Sequence, residues 1–140
     1  MSVRRCWPPR TRKRRTRPRP FTVVALDLDG LKRLNDKVGH AAGDNFLRSV
    51  AQVLREQLRP EDLAIRLKGD EFLAVLADAD ATVGRLVASR IQDAVGRLAL
   101  EVPASISAGV AHWKAGQSDR EMLEAADAEM YRAKRERHAL

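Results

Sequence analysis

The run Phe21-Thr-Val-Val-Ala-Leu-Asp-Leu-Asp-Gly30 constrains this chain more than any other stretch. It is short, rich in Val and closed by polar residues, so Phe21–Leu26 reads as a buried strand. It ends in two carboxylates two residues apart, Asp27 and Asp29, and then a glycine. A carboxylate at a strand end can attack a phosphate, hold a metal or cap the next helix. Which of these Asp27 does depends on what the rest of the chain brings to that strand.

The length, 140 residues, suits one domain with one core. There is no apolar run of 18 residues, so no membrane span is expected. No charged-then-apolar leader is present, which makes the cytosol the expected compartment. The single Cys6 leaves no internal disulfide, and no His/Cys pair has zinc spacing.

The charge is unevenly placed. Arg4, Arg5, Arg10, Arg12, Lys13, Arg14, Arg15, Arg17 and Arg19 fall within residues 1–20, with no acid among them. Removing those nine from 26 leaves 17 basic against 19 acidic residues over 21–140, a net of −2. The high pI thus belongs to a tail that also carries Pro8, Pro9, Pro18 and Pro20. Such a segment buries no core and reads as disordered, which sets the domain at 21–140. It could touch nucleic acid or anionic lipid through its charge, but a charge run is more often a solvated face, and no specific nucleic-acid partner is expected.

Downstream, Gly39 and Gly43 bracket a turn, and Asp44 opens a helix to about Leu58 with Leu47, Val50, Leu54 and Leu58 on one face. Pro60 stops it. Leu63–Leu67 and Phe72–Leu76 form a hairpin around a four-residue loop, Lys68-Gly-Asp-Glu71. Asp80 caps a further helix whose core face is Val83, Leu86, Val87, Ile91, Val95 and Leu98. Pro103 precedes a strand, Ala104–Ala111. Ser118 and Glu121 make a capping box for the last helix, with Met122, Ala126 and Met130 on its inner stripe. The order strand, helix, hairpin, helix, strand, helix predicts an α+β fold, with helices packed on a mostly antiparallel sheet.

The hairpin carries Asp70 and Glu71 at its tip. If its strands lie beside Phe21–Leu26, Asp27 and Asp70 can meet. Two carboxylates with a backbone oxygen nearby suit magnesium carrying a phosphate-rich substrate. Taken alone, an acid pair in a hairpin is ordinary turn chemistry. A strand followed by Asp-x-Asp-Gly is also similar to the opening of a haloacid-dehalogenase-type phosphatase. That family usually continues with Thr where this chain has Leu31, and its alternating parallel sheet needs more chain than follows Asp29. An EF-hand fits less well, because Gly30 comes too early and no Glu falls at the twelfth position.

Five blocks in order carry a more specific resemblance: Asp27-Leu-Asp29-x-x-Lys32-x-x-Asn35-Asp36; Gly39-His40 with Gly43-Asp44; Arg66-x-x-Gly69-Asp70-Glu71-Phe72; "SISAGVA"; and "ADAEMYRAK". From about residue 21 to 138 the chain resembles a GGDEF domain, the diguanylate cyclase family. That resemblance implies a nucleotide-cyclase-like fold and the condensation of two GTP into cyclic di-GMP and two pyrophosphates by two facing domains. It implies Mg2+ (or Mn2+) held by Asp27, the Leu28 carbonyl, Asp70 and Glu71, with Asp70 taking the proton of the attacking 3′-hydroxyl. It further implies that Lys32 steadies the phosphates, that Asn35 and Asp44 read guanine, that His40 lines the same pocket, and that Lys134 binds phosphate. Arg59-Pro-Glu-Asp62 resembles the family's RxxD inhibitory site for cyclic di-GMP, with Arg90 contributing. Asp29 is left with a supporting, helix-opening role. Without the resemblance, Lys32, Asn35, Asp44 and the Arg59/Asp62 pair are ordinary helix-turn, capping and surface residues.

Three positions depart from the family pattern. Lys68 stands where the first Gly of the signature is expected; if that position needs left-handed geometry, a lysine there costs about 1–2 kcal/mol. The usual "LTGLxNR"-type block is not seen ahead of the first strand. His138 replaces a second phosphate-binding Arg four residues after Lys134, and the neighbouring Arg137 is expected to substitute only if the helix frays. The resulting expectation is a homodimeric diguanylate cyclase with product inhibition. The alternative is a catalytically weak or inactive module that receives cyclic di-GMP or GTP. A third reading is a truncated remnant whose basic tail dominates any binding.

Overall fold

The structure, a computed structural model, describes residues 20–138. The basic tail read over residues 1–20 falls almost wholly outside the described residues. Eight elements follow in the order β1 (Phe21–Asp29), α1 (Leu31–Val38), α2 (His40–Gln57), β2 (Leu63–Lys68), β3 (Glu71–Ala77), α3 (Ala81–Gly96), β4 (Ser105–His112) and α4 (Asp119–His138). The strands form one antiparallel sheet in the order β2-β3-β1-β4. The α+β expectation holds.

Residues alternate across a strand, and β1 is apolar on both faces, so each face demands a cover. Val24, Leu26 and Leu28 pack with Leu34 of α1, Phe46 and Val50 of α2 and Ile91 and Val95 of α3. Val23 and Ala25 pack with Leu73, Val75 and the α4 stripe Met122, Ala126 and Met130. The capping box that starts α4 is present: Ser118 Oγ accepts from the Glu121 N–H at 3.1 Å. Among the described residues no helix is long and apolar enough to cross a membrane.

Several boundaries differ from the sequence reading, each for a physical reason. Strand β1 runs on through Asp29, because Asp27 pairs with Glu71 on one side and Ser107 on the other. The aspartates are therefore sheet residues. The order read from the sequence leaves out α1, a helix of only eight residues whose single buried residue is Leu34. Helix α2 begins at His40, since Gly39 (φ 110°) makes the whole α1–α2 turn and Gly43 lies inside the helix. The hairpin loop is only Gly69-Asp70.

Helix α3 is capped by Asp80 as expected, but its inner face is Gly84, Ala88, Ile91 and Val95. Val83 and Leu86 are exposed. A Cβ on Gly84 would stand 2.6 Å from Thr22 Cγ2 and 2.7 Å from Val110 Cγ1. The helix comes down on the sheet at its smallest residue, and that rotates the two larger ones outward.

Candidate functional site

Alternation puts Asp27 and Asp29 on the face that α4 covers, and α4 answers with two cations. Lys134 Nζ lies 3.2 Å from Asp27 Oδ2 and 3.4 Å from Asp29 Oδ1. Arg137 Nη1 reaches Asp29 Oδ2 at 3.3 Å and donates to the Ile106 carbonyl at 3.3 Å. Helix α4 is intact through these residues, so Arg137 reaches Asp29 and the Ile106 carbonyl without fraying. Positions three apart share a helix face, so the Lys134/Arg137 spacing held that information.

The helix-opening role expected of Asp29 is corrected. Helix α1 is opened by Gly30 (φ 92°) without a side-chain cap. The Asp29 carboxylate instead accepts from Ser105 Oγ at 3.0 Å and Ser107 Oγ at 2.8 Å. Those serines sit in "SISAGVA", and their alternate spacing was the signal that they share a face.

Asp27 Oδ1 is buried and accepts no hydrogen bond among the described residues. Burial pushes the carboxyl above its ordinary range, the Lys134 ammonium pulls it back, and the charges of Asp70 and Glu71 push it up again. Burial alone lowers the pKa of Lys134, but the hydrogen bonds and charges of Asp27 and Asp29 outweigh it, and the net shift is upward. The two partners differ: burial outweighs the ion pair for Asp27, whereas for Lys134 the two facing carboxylates outweigh burial.

The hairpin brings the other acids. Glu71 pairs with Asp27 across the sheet, and the Leu28 N–H donates to the Asp70 carbonyl at 2.9 Å, tying the hairpin loop to β1. Leu28, Lys32, Asp70 and Lys134 line a shallow depression of about 540 Å³ with Asp29, Gly30 and the outward side of α1 from Leu31 to Lys37. Among the described residues no three His, Cys, Asp or Glu side chains close into a preformed metal cage. The bare, buried Asp27 oxygen is nonetheless the kind of hard donor that a divalent cation accepts, with substrate oxygens able to complete its shell.

Asn35 and Asp44 fall on adjacent helices. The Asn35 side-chain oxygen is buried without a hydrogen bond and lies where a Gly43 side chain would be, 1.7 Å from an ideal Cβ. Asp44 is exposed one residue on. It borders a second groove of about 570 Å³ with Leu47, Arg48, Arg55, Arg66 and Phe72. His40 is exposed at the first residue of α2 and lines neither groove.

Arg59 and Asp62 meet. Arg59 donates to both Asp62 oxygens, at 3.2 and 3.0 Å, and to the Ala77 carbonyl. Asp62 also accepts from the Ala77 N–H at 3.0 Å. Arg90 is exposed on α3 and has no hydrogen bond or ion pair to this pair among the described residues.

A family model described as "Diguanylate cyclase, GGDEF domain" matches residues 9–139. This chain belongs to the GGDEF diguanylate cyclase domain family. The match begins inside the segment read as a tail. The diguanylate cyclase DgcP of Pseudomonas aeruginosa is 36% identical over 118 residues, 81% of this chain and 18% of the relative. MucR, a bifunctional diguanylate cyclase/cyclic di-GMP phosphodiesterase of the same species, is 40% identical over 122 residues, 83% of this chain and 18% of the relative. The chain thus spans under a fifth of the length of these relatives. Among solved structures, the GGDEF domain of DgcB from Caulobacter crescentus in complex with c-di-GMP has TM-score 0.79 at 31% identity, covering 83% of this chain and 72% of that one. The active GGEEF domain of a diguanylate cyclase from Vibrio cholerae has TM-score 0.80 at 24% identity, covering 84% and 78%, and shares the fold.

Proposed function

We propose that this GGDEF domain is a diguanylate cyclase, joining two GTP into cyclic di-GMP with release of two pyrophosphates. The observation that carries the reading is the buried, hydrogen-bond-free oxygen of Asp27, set opposite Glu71 and beside the loop of Asp70. A Mg2+ or Mn2+ ion held by Asp27, the Leu28 carbonyl, Asp70 and Glu71 would supply Lewis acidity at the α-phosphate. The protein's own groups do the rest. Asp70 accepts the proton of the attacking 3′-hydroxyl. Lys32 and Lys134 flank the depression and offset the triphosphate charge. Asn35 and Asp44 hydrogen-bond the guanine edge, which favours GTP over ATP because adenine has no N1–H or N2–H to give to the Asp44 carboxylate. Each domain presents one GTP, so closing the ring takes two domains face to face.

Inhibition by product belongs to the same reading. Asp62 is nearly fully buried and fixed to Ala77, so it holds the half-exposed Arg59 fork in one orientation. A preorganised guanidinium suits guanine and phosphate alike, and Arg90 would add a second fork.

Incubation of concentrated protein with GTP and Mg2+, followed by chromatography, tests the first claim. Cyclic di-GMP should form, and Asp70→Asn should abolish it. No product at concentrations that favour pairing would sink the cyclase reading. Calorimetry with cyclic di-GMP tests the second: Arg59→Ala should lose binding that Asp70→Ala keeps. Binding of the dinucleotide without turnover would point to the receptor alternative.

A further inference from the structure

We propose that Lys68 sets the metal affinity of the site: placed opposite Glu71, it offsets that carboxylate and weakens divalent-cation binding at Asp27, Asp70 and Glu71. The inference rests on the reading of those carboxylates as cation ligands.

Sheet register carries it. Arg66 pairs with Phe72, but Glu71 pairs with Lys68, because the register slips between Arg66 and Lys68. A one-residue slip moves a side chain to the other face of the sheet. Arg66 shares the Phe72 side and lines the groove beside Asp44. Lys68 shares the side of Glu71, whose other cross-strand neighbour is Asp27. Lys68, Glu71 and Asp27 therefore make one row on the face that α4 covers. With regular pairing Leu67 would occupy that place, and the cation would fall on the opposite face.

Backbone geometry does not ask for glycine at 68. Among the described residues positive φ is confined to Asp78, Gly30, Gly39 and Gly116. A lysine here therefore carries none of the left-handed strain considered from sequence, and what it changes is charge. Lys68 is exposed, and no hydrogen bond or ion pair joins it to Glu71 among the described residues, so it acts through space. The field of Glu71 is felt on this face: it is the main cause of the raised pKa of the Tyr131 hydroxyl.

Cross-strand neighbours hold their Cβ atoms about 5 Å apart, so an ammonium at 68 and a cation on Glu71 would stand roughly 7 Å apart. Repulsion of a divalent by a monovalent ion at that distance in water weakens binding about sevenfold at low ionic strength, and about twofold near physiological salt.

The test is a Mn2+ titration of the full chain, followed by the electron paramagnetic resonance signal of free Mn2+, with circular dichroism to verify folding. Lys68→Met and Lys68→Gly should bind Mn2+ about five- to tenfold tighter than the parent at low salt, with the gain shrinking as salt rises. Lys68→Arg should match the parent, and Glu71→Gln should bind more weakly. Unchanged affinity in Lys68→Met, with Glu71→Gln weakened, overturns the role of Lys68 and leaves the metal site standing. If Glu71→Gln and Asp27→Asn bind as the parent does, or if no form binds Mn2+, the metal reading fails and this inference fails with it.

Discussion

Gly43→Ala should stabilise the domain while damaging the proposed guanine site. Gly43 lies inside α2, where alanine is favoured over glycine by about 0.5–1 kcal/mol. The three atoms nearest an ideal Cβ are Asn35 Oδ1 at 1.7 Å, Cγ at 2.8 Å and Nδ2 at 3.2 Å. All three belong to one side-chain amide and none to the backbone, so the conflict resolves by rotating Asn35 away. That rotation also frees a buried oxygen that has no hydrogen-bond partner, a group whose desolvation costs about 1–3 kcal/mol. Lost packing takes back part of the gain, leaving a net of about +1 kcal/mol, or a few degrees in Tm. The amide then no longer meets guanine, and loss of its hydrogen bonds should weaken nucleotide binding about tenfold to a hundredfold. Urea denaturation without nucleotide reads the first effect, and titration with a fluorescent GTP analogue and Mg2+ reads the second. In a double-mutant cycle, Asn35→Ala and Gly43→Ala should be strongly non-additive in both. A loss of several kcal/mol in Gly43→Ala would show that Asn35 cannot move. Unchanged GTP affinity in a folded Gly43→Ala protein would show that Asn35 does not read the base.

Gly109→Ala should do the opposite, because its Cβ would stand 2.1 Å from the Ala126 carbonyl oxygen and 2.3 Å from the Met130 nitrogen; α4 must then shift as a body, with a loss of about 3 kcal/mol by denaturation and displacement of Lys134. Lys134→Met should destabilise the metal-free domain by about 1–3 kcal/mol at neutral pH, since the buried Asp27 carboxylate loses its counterion. The deficit should close as pH falls through the raised Asp27 pKa, where the carboxyl is neutral, and a denaturation series in pH checks it. In the parent chain the signs are fixed by the same pair. Asp27, raised above 3.8, makes a contribution that declines as pH rises from that value through its folded pKa. Lys134, raised above 10.5, contributes fully below that value and loses its contribution as pH climbs through the folded pKa.

What the sequence determined by itself was local. The unbroken apolar run of β1 announced a strand buried on both faces, the acid pair announced a hairpin tip, and Ser118/Glu121 with the Met122–Met130 stripe announced α4 and its inner side. Each of these is a periodicity or a cap, readable within a few residues. The motif blocks also named the family, which the comparisons bear out. Tertiary structure decided how those pieces meet. Only the pairing with both β3 and β4 carried β1 on through Asp29, and only that placed two serines and Arg137 around a carboxylate expected to open a helix. Only the close approach at Gly84 turned Val83 and Leu86 outward. Only the register slip beside Leu67 put Lys68 on the face of Glu71 and Asp27. Register and approach distance are set by side chains far apart in the chain, and no local pattern encodes them.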